Sequence, residues 1–313
     1  MSSDLVRKGL SIISQCKDDT GDIWHAHFGA AAIASYYLVK DFTFSQESVD
    51  RIISQSEKMI EKHSLSQVHF TTGVDYTVAE RKIVDALEET IGQLHWVGHH
   101  VIYTAYSLLA IRELGSWGEE SIDKIVQLIL SFKGTIPGRS WIGYTAKDIK
   151  NMEITKDDKI PSILTPVDLS EFILKELATF QTIYEAEAHH DLIGHMLTYS
   201  HALNVIYDLG HHSLFHKGLF PVLQLVKALR KSKEITDVTS IKLVSPVDKL
   251  PLFQKQRANA LPFEKSFWEK DYEGIEWDFG HLFKFTYSYL DHTNRVPALK
   301  EDTLENFRYI ISY

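Results

Sequence analysis

Four segments of this chain share a pattern that narrows what the whole can become. Aligned on His27, His99, His195 and His281, the stretches AHFGAAAIASYY, GHHVIYTAYSLL, GHMLTYSHALNV and GHLFKFTYSYLD each carry a small residue before the histidine and a small or hydroxylated residue five after it. Three of the four have a tryptophan just upstream: Trp24, Trp96 and Trp277. Each segment is apolar on nearly every side at helical spacing, and a helix without a polar face is normally buried. The chain must therefore provide other helices to cover these four.

Those covering helices are legible between them. Residues 3 to 16 put Leu5, Leu10, Ile12 and Ile13 near one face, and the polar run Lys17 to Gly21 ends the helix, with Asp22 standing where the next one would be capped. Ser45 to His63 and Glu119 to Phe132 are one-sided, with apolar residues at helical spacing among charges, while Val78 to Leu94 is helical by periodicity. Residues 67 to 75 are read as irregular. Residues 134 to 166 hold glycine and proline breakers and no helical period, the mark of a long loop or lid. Asp168 or Ser170 caps a further helix, and the helical pattern then runs, with a break, to Leu209. Pro221 ends, kinks or opens a helix in the segment after Gly210. Residues 233 to 246 are weakly strand-like and 247 to 270 partly helical, and short helices close the chain at 277 to 291 and 302 to 312. Strand signals are too scattered for a core sheet. The expected fold is all-α: helical hairpins in inner and outer layers around a central cavity, an α/α toroid or bundle, with residues 1 to 313 as one domain.

Composition removes several function classes. A formal net charge of −9, with no basic stripe, argues against a phosphate-backbone grip on nucleic acid. The single cysteine, Cys16, excludes an intrachain disulfide and any multi-thiolate metal site. The N-terminus lacks the apolar core and cleavage site of a signal peptide, and no window has the length to span a bilayer, so the expectation is a cytoplasmic protein with no membrane partner. No HExxH, GxSxG, P-loop or GxGxxG is present. His190-Asp191 is the dipeptide of metal-dependent phosphohydrolases without its partners. Glu185 with His189, and Glu187 with His190, form one carboxylate–histidine element where di-iron proteins need two.

The clue that remains is the histidines, sixteen in all, more than half of them in or beside apolar segments. A histidine in the first turn of a buried helix faces unsatisfied N–H groups and the positive end of the helix dipole, which favour a neutral ring. Four such helices at matching levels would bring His27, His99, His195 and His281 to one apolar-walled pocket. Imidazoles also bind metals, so a bound metal at the histidine cluster is the second reading, and a non-catalytic helical ligand-binding module the third.

The same blocks carry a resemblance. His27 to Ala32 is similar to N-H-G-P-M-A-A-E-A-L, His99 to Ser107 to H-G-x-I-R-T-A-H-A, His195 to Thr198 with Ala202-Leu203 to H-A-V-T with its later Ala-Leu, and His281 to Ser288 to H-x-I-K-L-T-E-A. In order and spread these resemble questin oxidase-like proteins, which include Baeyer–Villiger-type oxidases of aromatic polyketides. Tyr103 stands where that family has arginine, Tyr106 where it has a second histidine, and Tyr287 where it has an acid. The resemblance implies an NADPH-linked oxygenation of a hydrophobic or aromatic ketone or quinone. In that reaction a neutral ring such as His99 or His195 would act as general base on a phenol or enolisable substrate while another polarised the carbonyl, and oxygen would react with the resulting carbanion without a metal. On this reading His27, His99, His195 and His281 are catalytic. Trp24, Trp96, Tyr103, Tyr106, Thr198, Lys284 and Tyr287 contact the substrate, and Arg139 and Trp141 join them if residues 134 to 166 close over the pocket.

Overall fold

The computed structural model describes residues 3–69, 72–235, 243 and 252–313. Its helices are α1 (Asp4–Thr20), α2 (Ala26–Asp41), α3 (Gln46–Lys62), α4 (Tyr76–Glu88), α5 (His99–Leu114), α6 (Glu119–Leu130), α7 (Ala146–Lys150), α8 (Pro166–Ala178), α9 (His189–Asp208), α10 (His212–Ser232), α11 (Asp278–Arg295) and α12 (Lys300–Ile310). The fold is all-α. Two three-residue strands, β1 (Gly73–Asp75) and β2 (Ser116–Gly118), pair antiparallel with Val74 opposite Trp117, so part of the segment expected to be irregular is a short ladder.

The four histidine-bearing helices form the inner layer. α2 touches α5 and α11, and α9 touches the same two, which closes a ring. α1 and α3 cover α2, α4 and α6 cover α5, and α8 and α10 cover α9, with α12 against α8 and α9. The division follows patterning. α2, α5, α9 and α11 are buried along most of their length, whereas α3 and α6 bury one stripe, such as Ile52, Met59 and Ile60 in α3. The ring's interior is filled rather than hollow: Tyr106, Tyr199, Phe285 and His201 are all buried there, and the cavity lies at the end where α5 and α9 begin.

The small residue before each histidine has a packing cause. A Cβ on Gly194 would stand 2.3 Å from the Phe285 ring of α11, and one on Gly280 would stand 2.3 Å from His27 Nε2 of α2. Only a residue without a side chain lets these helices approach so closely. The hydroxylated residue five after the histidine returns its proton to its own helix. Thr104 donates to the His100 carbonyl (2.8 Å), Ser200 to Met196 (2.6 Å) and Thr286 to Leu282 (2.5 Å), so none is left unsatisfied in an apolar layer.

Several boundaries differ from expectation. α1 runs on to Thr20, and α2 starts at Ala26 with Asp22 accepting from the Trp24 N–H (2.7 Å) instead of capping the helix. α8 is capped by Thr165, which exchanges hydrogen bonds with Asp168 in a capping box, one turn earlier than Asp168 or Ser170 would place it. Pro221 neither ends nor opens a helix, since α10 runs through it. Most of residues 233 to 246 lies outside the described residues, and the described part of 247 to 270 holds an isolated antiparallel bridge from Gln254 to Tyr184 and a 3-10 turn at Lys265–Phe267 in place of the expected helix. Residues 134–166 are not one open loop: they contain α7 and a 3-10 turn at Lys156–Asp158, and they bury Trp141 and Ile149. Among the described residues, no helix is long and apolar enough to cross a membrane.

Candidate functional site

The chain enters α5 and α9 by sharp turns in left-handed conformation. Trp96 (φ 41°), Val97 (φ 51°), Glu187 (φ 49°) and Ala188 (φ 50°) all have positive φ, and Glu276 (φ 49°) does the same just before α11. Such backbone costs non-glycine residues on the order of 1 kcal/mol or more each and persists where surrounding structure holds it. Here a neighbouring segment holds it: the Trp96 N–H donates to the Ile136 carbonyl (3.0 Å) and the Val97 N–H to that of Pro137 (2.7 Å). These turns set Trp96, Val97, Glu187 and Ala188 around a cavity of about 510 Å³, with Trp24, Trp277, Gly138, Arg139, Ser140, His99, Asp191, Leu192 and His195 completing its wall.

Beneath and along this wall the four histidines meet. Ring centroids of His99 and His195 are 4.8 Å apart, those of His195 and His281 5.2 Å, those of His27 and His281 4.6 Å, and those of His27 and His99 6.4 Å. His99 and His195 line the cavity, whereas His27 and His281 form the layer behind them. Their placement departs from the expected common level. His195 lies in the second turn of α9, whose first residues are His189 and His190, so the dipole of the helix start does not explain its state.

Hydrogen bonding fixes the tautomers. His99 Nδ1 lies 2.6 Å from the Trp96 carbonyl oxygen, and His195 Nδ1 lies 2.9 Å from that of Asp191 and 3.3 Å from its Oδ2. His281 Nδ1 lies between Asp278 Oδ1 (3.0 Å) and Asp191 Oδ1 (3.3 Å). Carbonyl and carboxylate oxygens only accept, so each Nδ1 carries the proton and each neutral ring keeps its lone pair on Nε2. His99 Nε2 and His195 Nε2 then face each other at 3.4 Å, and His281 Nε2 is buried without a hydrogen-bond partner. His27 is arranged the other way. Its Nε2–H donates to the Trp277 carbonyl (3.1 Å) and its Nδ1 accepts from Lys284 Nζ (2.7 Å).

The electrostatics agree with neutral rings. Burial first, then the nearby Lys284 and other imidazoles, holds His27 well below the usual histidine range; burial and His195 do so for His99. Burial also lowers His281, against the pull of Asp191. Burial lowers Lys284 to about 7, so its amine is poised between its charged and neutral forms. For Asp191 burial acts upward, but the charge that His195 and His281 carry when protonated, together with the His195 hydrogen bond, outweighs it and holds the carboxyl below the usual carboxylate range.

An N–H···N hydrogen bond, with a proton on one Nε2, or an electrophile held between two bare nitrogens accounts for the approach of His99 Nε2 to His195 Nε2. Two imidazole nitrogens about 2.1 Å from one tetrahedral ion stand about 3.4 Å apart, the separation found here. Ligating histidines also characteristically donate their other N–H to a carbonyl or carboxylate, as His99, His195 and His281 do. Asp191, His195 and His281 in addition present ligand atoms all within 4.8 Å of one another. NADPH fits less well. The cavity wall offers one cation, Arg139, against the carboxyl groups of Glu187 and Asp191, which is no cradle for a dinucleotide's phosphates.

Of the residues expected to contact substrate, Trp24 and Trp96 line the cavity and five do not. Tyr103 is one turn below His99 with its ring 5.5 Å away, Tyr106 lies two turns down beside His201, and Thr198 is within 3.4 Å of the His195 carbonyl oxygen. Lys284 is committed to His27, and Tyr287 donates to Asp41 at the far end of the ring (2.8 Å). All five are buried, as their apolar helices imply, but a helix rises about 5.4 Å per turn and carries them past the cavity floor. Trp141 is buried behind the wall, while Arg139 lies on it.

Three acidic residues at the site are not among those expected there: Asp278, which the sequence reading did not single out, and Asp191 and Glu187, which it weighed only within His190-Asp191 and a lone carboxylate–histidine element. A signal existed for two of them: Asp191 precedes His195 by four residues and Asp278 precedes His281 by three, the spacings that put a carboxylate beside a histidine on one helix face. Of the other buried histidines of the ring, His292 bonds Ser170, Ser200 and the Leu197 carbonyl, His201 bonds Ser288, and His189 Nδ1 accepts from the Tyr184 N–H, while His100 packs edge-on against His95 with ring centroids 5.1 Å apart. Comparison with family models, with curated proteins and with solved structures finds no match to this chain.

Proposed function

We propose that this chain is an oxidoreductase of the questin oxidase-like kind, adding O2 to the enolised or phenolic form of a hydrophobic or aromatic hydroxylated ketone or quinone. Both oxygen atoms enter the product, so that the substrate itself supplies the electrons, and a transition-metal ion is held by the Nε2 atoms of His99 and His195. The observation that carries this reading is the approach of His99 Nε2 to His195 Nε2, 3.4 Å apart on the wall of an aromatic cavity, with the Nδ1 of each ring turned to an acceptor oxygen. The cavity's size suits a small planar molecule, since ligand pockets run from about 300 to 1,000 Å³. Trp24, Trp96 and Trp277 provide faces and edges for its rings: the Trp24 centroid is 4.6 Å from that of Trp96 and 6.2 Å from that of Trp277.

In this reading each residue has a separate task. His99 and His195 bind the ion, His281 presents a third bare nitrogen beside them, and Asp191 holds the rings of His195 and His281 in the ligating tautomer. A bound ion supplies Lewis-acid polarisation of a carbonyl oxygen. The tryptophans exclude water around it, which strengthens that polarisation. His27 and Lys284 form a buried proton-holding pair one layer back, with the lysine able to gain or release a proton near neutrality.

Metal analysis of the purified protein, followed by oxygen-electrode measurements with hydroxylated aromatic ketones before and after chelation, tests the proposal. One tightly held transition metal per chain and oxygen uptake lost on chelation are the expected results. Protein that takes up no metal at His99 and His195, yet consumes oxygen with these substrates, returns the site to a metal-free general-base role.

A further inference from the structure

Behind the cavity wall lies a second, much smaller void of about 10 Å³, bounded in part by Trp141, His189, Leu192, Leu229 and Ser232. Leu192 lines both spaces, so the small void backs directly onto the large one. Two of its side chains bring donors that no protein group accepts. Trp141 is 1% exposed, and its indole nitrogen can only donate. His189 is fully buried, and its Nδ1 accepts from the Tyr184 N–H (3.1 Å), so the proton of the neutral ring sits on Nε2. Burial keeps that ring neutral, with its pKa lowered to about 3. Neither Trp141 Nε1 nor His189 Nε2 has a hydrogen-bond partner among the described residues. A buried donor without a partner loses its hydration and gains nothing in exchange, and folded proteins rarely tolerate it. Here two such donors belong to the wall of one void.

We infer that this void is a binding site for a single water molecule, which accepts from Trp141 Nε1–H and His189 Nε2–H, donates to Ser232 Oγ, and so ties the wall of the main cavity to α9 and α10. The space suits one water, which needs roughly 10 to 15 Å³ on this measure and two to four polar partners. Ser232 Oγ gives its own proton to the Leu229 carbonyl (2.6 Å) and keeps lone pairs with which to accept. A halide would accept the same two N–H bonds, but it buries a charge, and Lys233, the cation that acts on His189, is already held by Glu176 (2.7 Å). The bridge bears on the main cavity through the chain around Trp141. Gly138 packs onto the indole, where a Cβ would stand 3.1 Å from Cζ2, and Gly138, Arg139 and Ser140 are all wall residues. Trp96 and Val97 hold the start of this stretch through the Ile136 and Pro137 carbonyls, and the water holds its end through Trp141.

The test needs neither metal nor turnover. A crystal structure of the full chain at a resolution that shows ordered solvent should reveal one water within about 3.2 Å of both nitrogens. In solution, the indole N–H of Trp141, identified as the signal lost in Trp141→Phe, should show cross-relaxation with water of the sign given by a long-lived bound molecule. The same variant removes one donor of the bridge, so amide hydrogen exchange at residues 138 to 140 should quicken roughly threefold to tenfold, the worth of one net hydrogen bond, while α2 and α11 exchange as in wild type. Anomalous scattering at the site in crystals grown in bromide would assign it to a halide and overturn the inference. So would either nitrogen bonded to a protein atom, an indole signal with no bound-water cross-relaxation, or a variant whose amides quicken equally throughout the chain.

Discussion

Replacing Asp191 by asparagine alters the histidine cluster without changing its size. The carboxylate lies 3.3 Å from the Nδ1 of both His195 and His281, one oxygen to each. Asparagine keeps one acceptor and turns the other oxygen into an N–H donor, which faces an Nδ1–H and favours the opposite tautomer in that ring. A ring so flipped carries its proton on Nε2 and cannot ligate. Each ring has a second acceptor, however: the Asp191 main-chain carbonyl at 2.9 Å for His195 and Asp278 at 3.0 Å for His281. Removing an outer partner of a metal ligand weakens metal binding by about 10- to 100-fold. The retained acceptors place Asp191→Asn near the lower end, about tenfold or about 1.4 kcal/mol, and the double variant with Asp278→Asn near the upper end. Cobalt(II) titration read by its visible absorption, with circular dichroism to establish that the variants are folded, measures both. Folded Asp191→Asn protein that binds cobalt as tightly as wild type, together with an equally unaffected double variant, refutes the assignment of Asp191 as the group that sets the tautomers.

Other consequences follow from the same geometry. Added zinc or cobalt at about 100 times its dissociation constant should stabilise the protein by about 2.7 kcal/mol, raising Tm, and the increment should vanish in a His99→Ala, His195→Ala variant; an unchanged increment would place the metal elsewhere. Burial holds His189 at about 3 and His190, His201 and His292 at about 4, against about 6.5 in the unfolded chain. Below pH 6.5 the unfolded state therefore binds more protons, so stability present above that pH is lost as pH falls toward 4, with a slope of up to about 5 kcal/mol per pH unit from these four groups near pH 5. Denaturant midpoints measured from pH 7 to pH 4.5 should fall steeply, and a flat profile would contradict neutral burial. Gly280→Ala puts a methyl 2.3 Å from His27 Nε2, so it should destabilise the fold by about 1 to 3 kcal/mol in thermal unfolding, and wild-type stability would show that α2 and α11 are not this close.

What the sequence by itself determined is the kind of object the chain makes. Apolar-all-round segments alternating with one-sided ones require buried helices inside amphipathic ones, because each helix must hide whatever apolar surface it carries. That logic places α2, α5, α9 and α11 in an inner ring and brings His27, His99, His195 and His281 within ring contact of their neighbours. The glycines of the motif belong to the same logic, since Gly194 and Gly280 mark where helices approach too closely for a Cβ.

Tertiary structure alone decided depth, direction and partners. Helical periodicity reports which side chains are buried but not how far along the axis the cavity reaches, so Tyr103, Tyr106, Thr198, Lys284 and Tyr287 are buried yet miss the wall. The acceptor for each Nδ1 comes from a helix or turn whose placement depends on packing: the Trp96 carbonyl turned by a left-handed backbone, or an Asp191 carboxylate reaching both its own helix and α11. Those contacts decide which nitrogen of each imidazole is bare. The site's chemistry depends on that placement more than on the count of histidines.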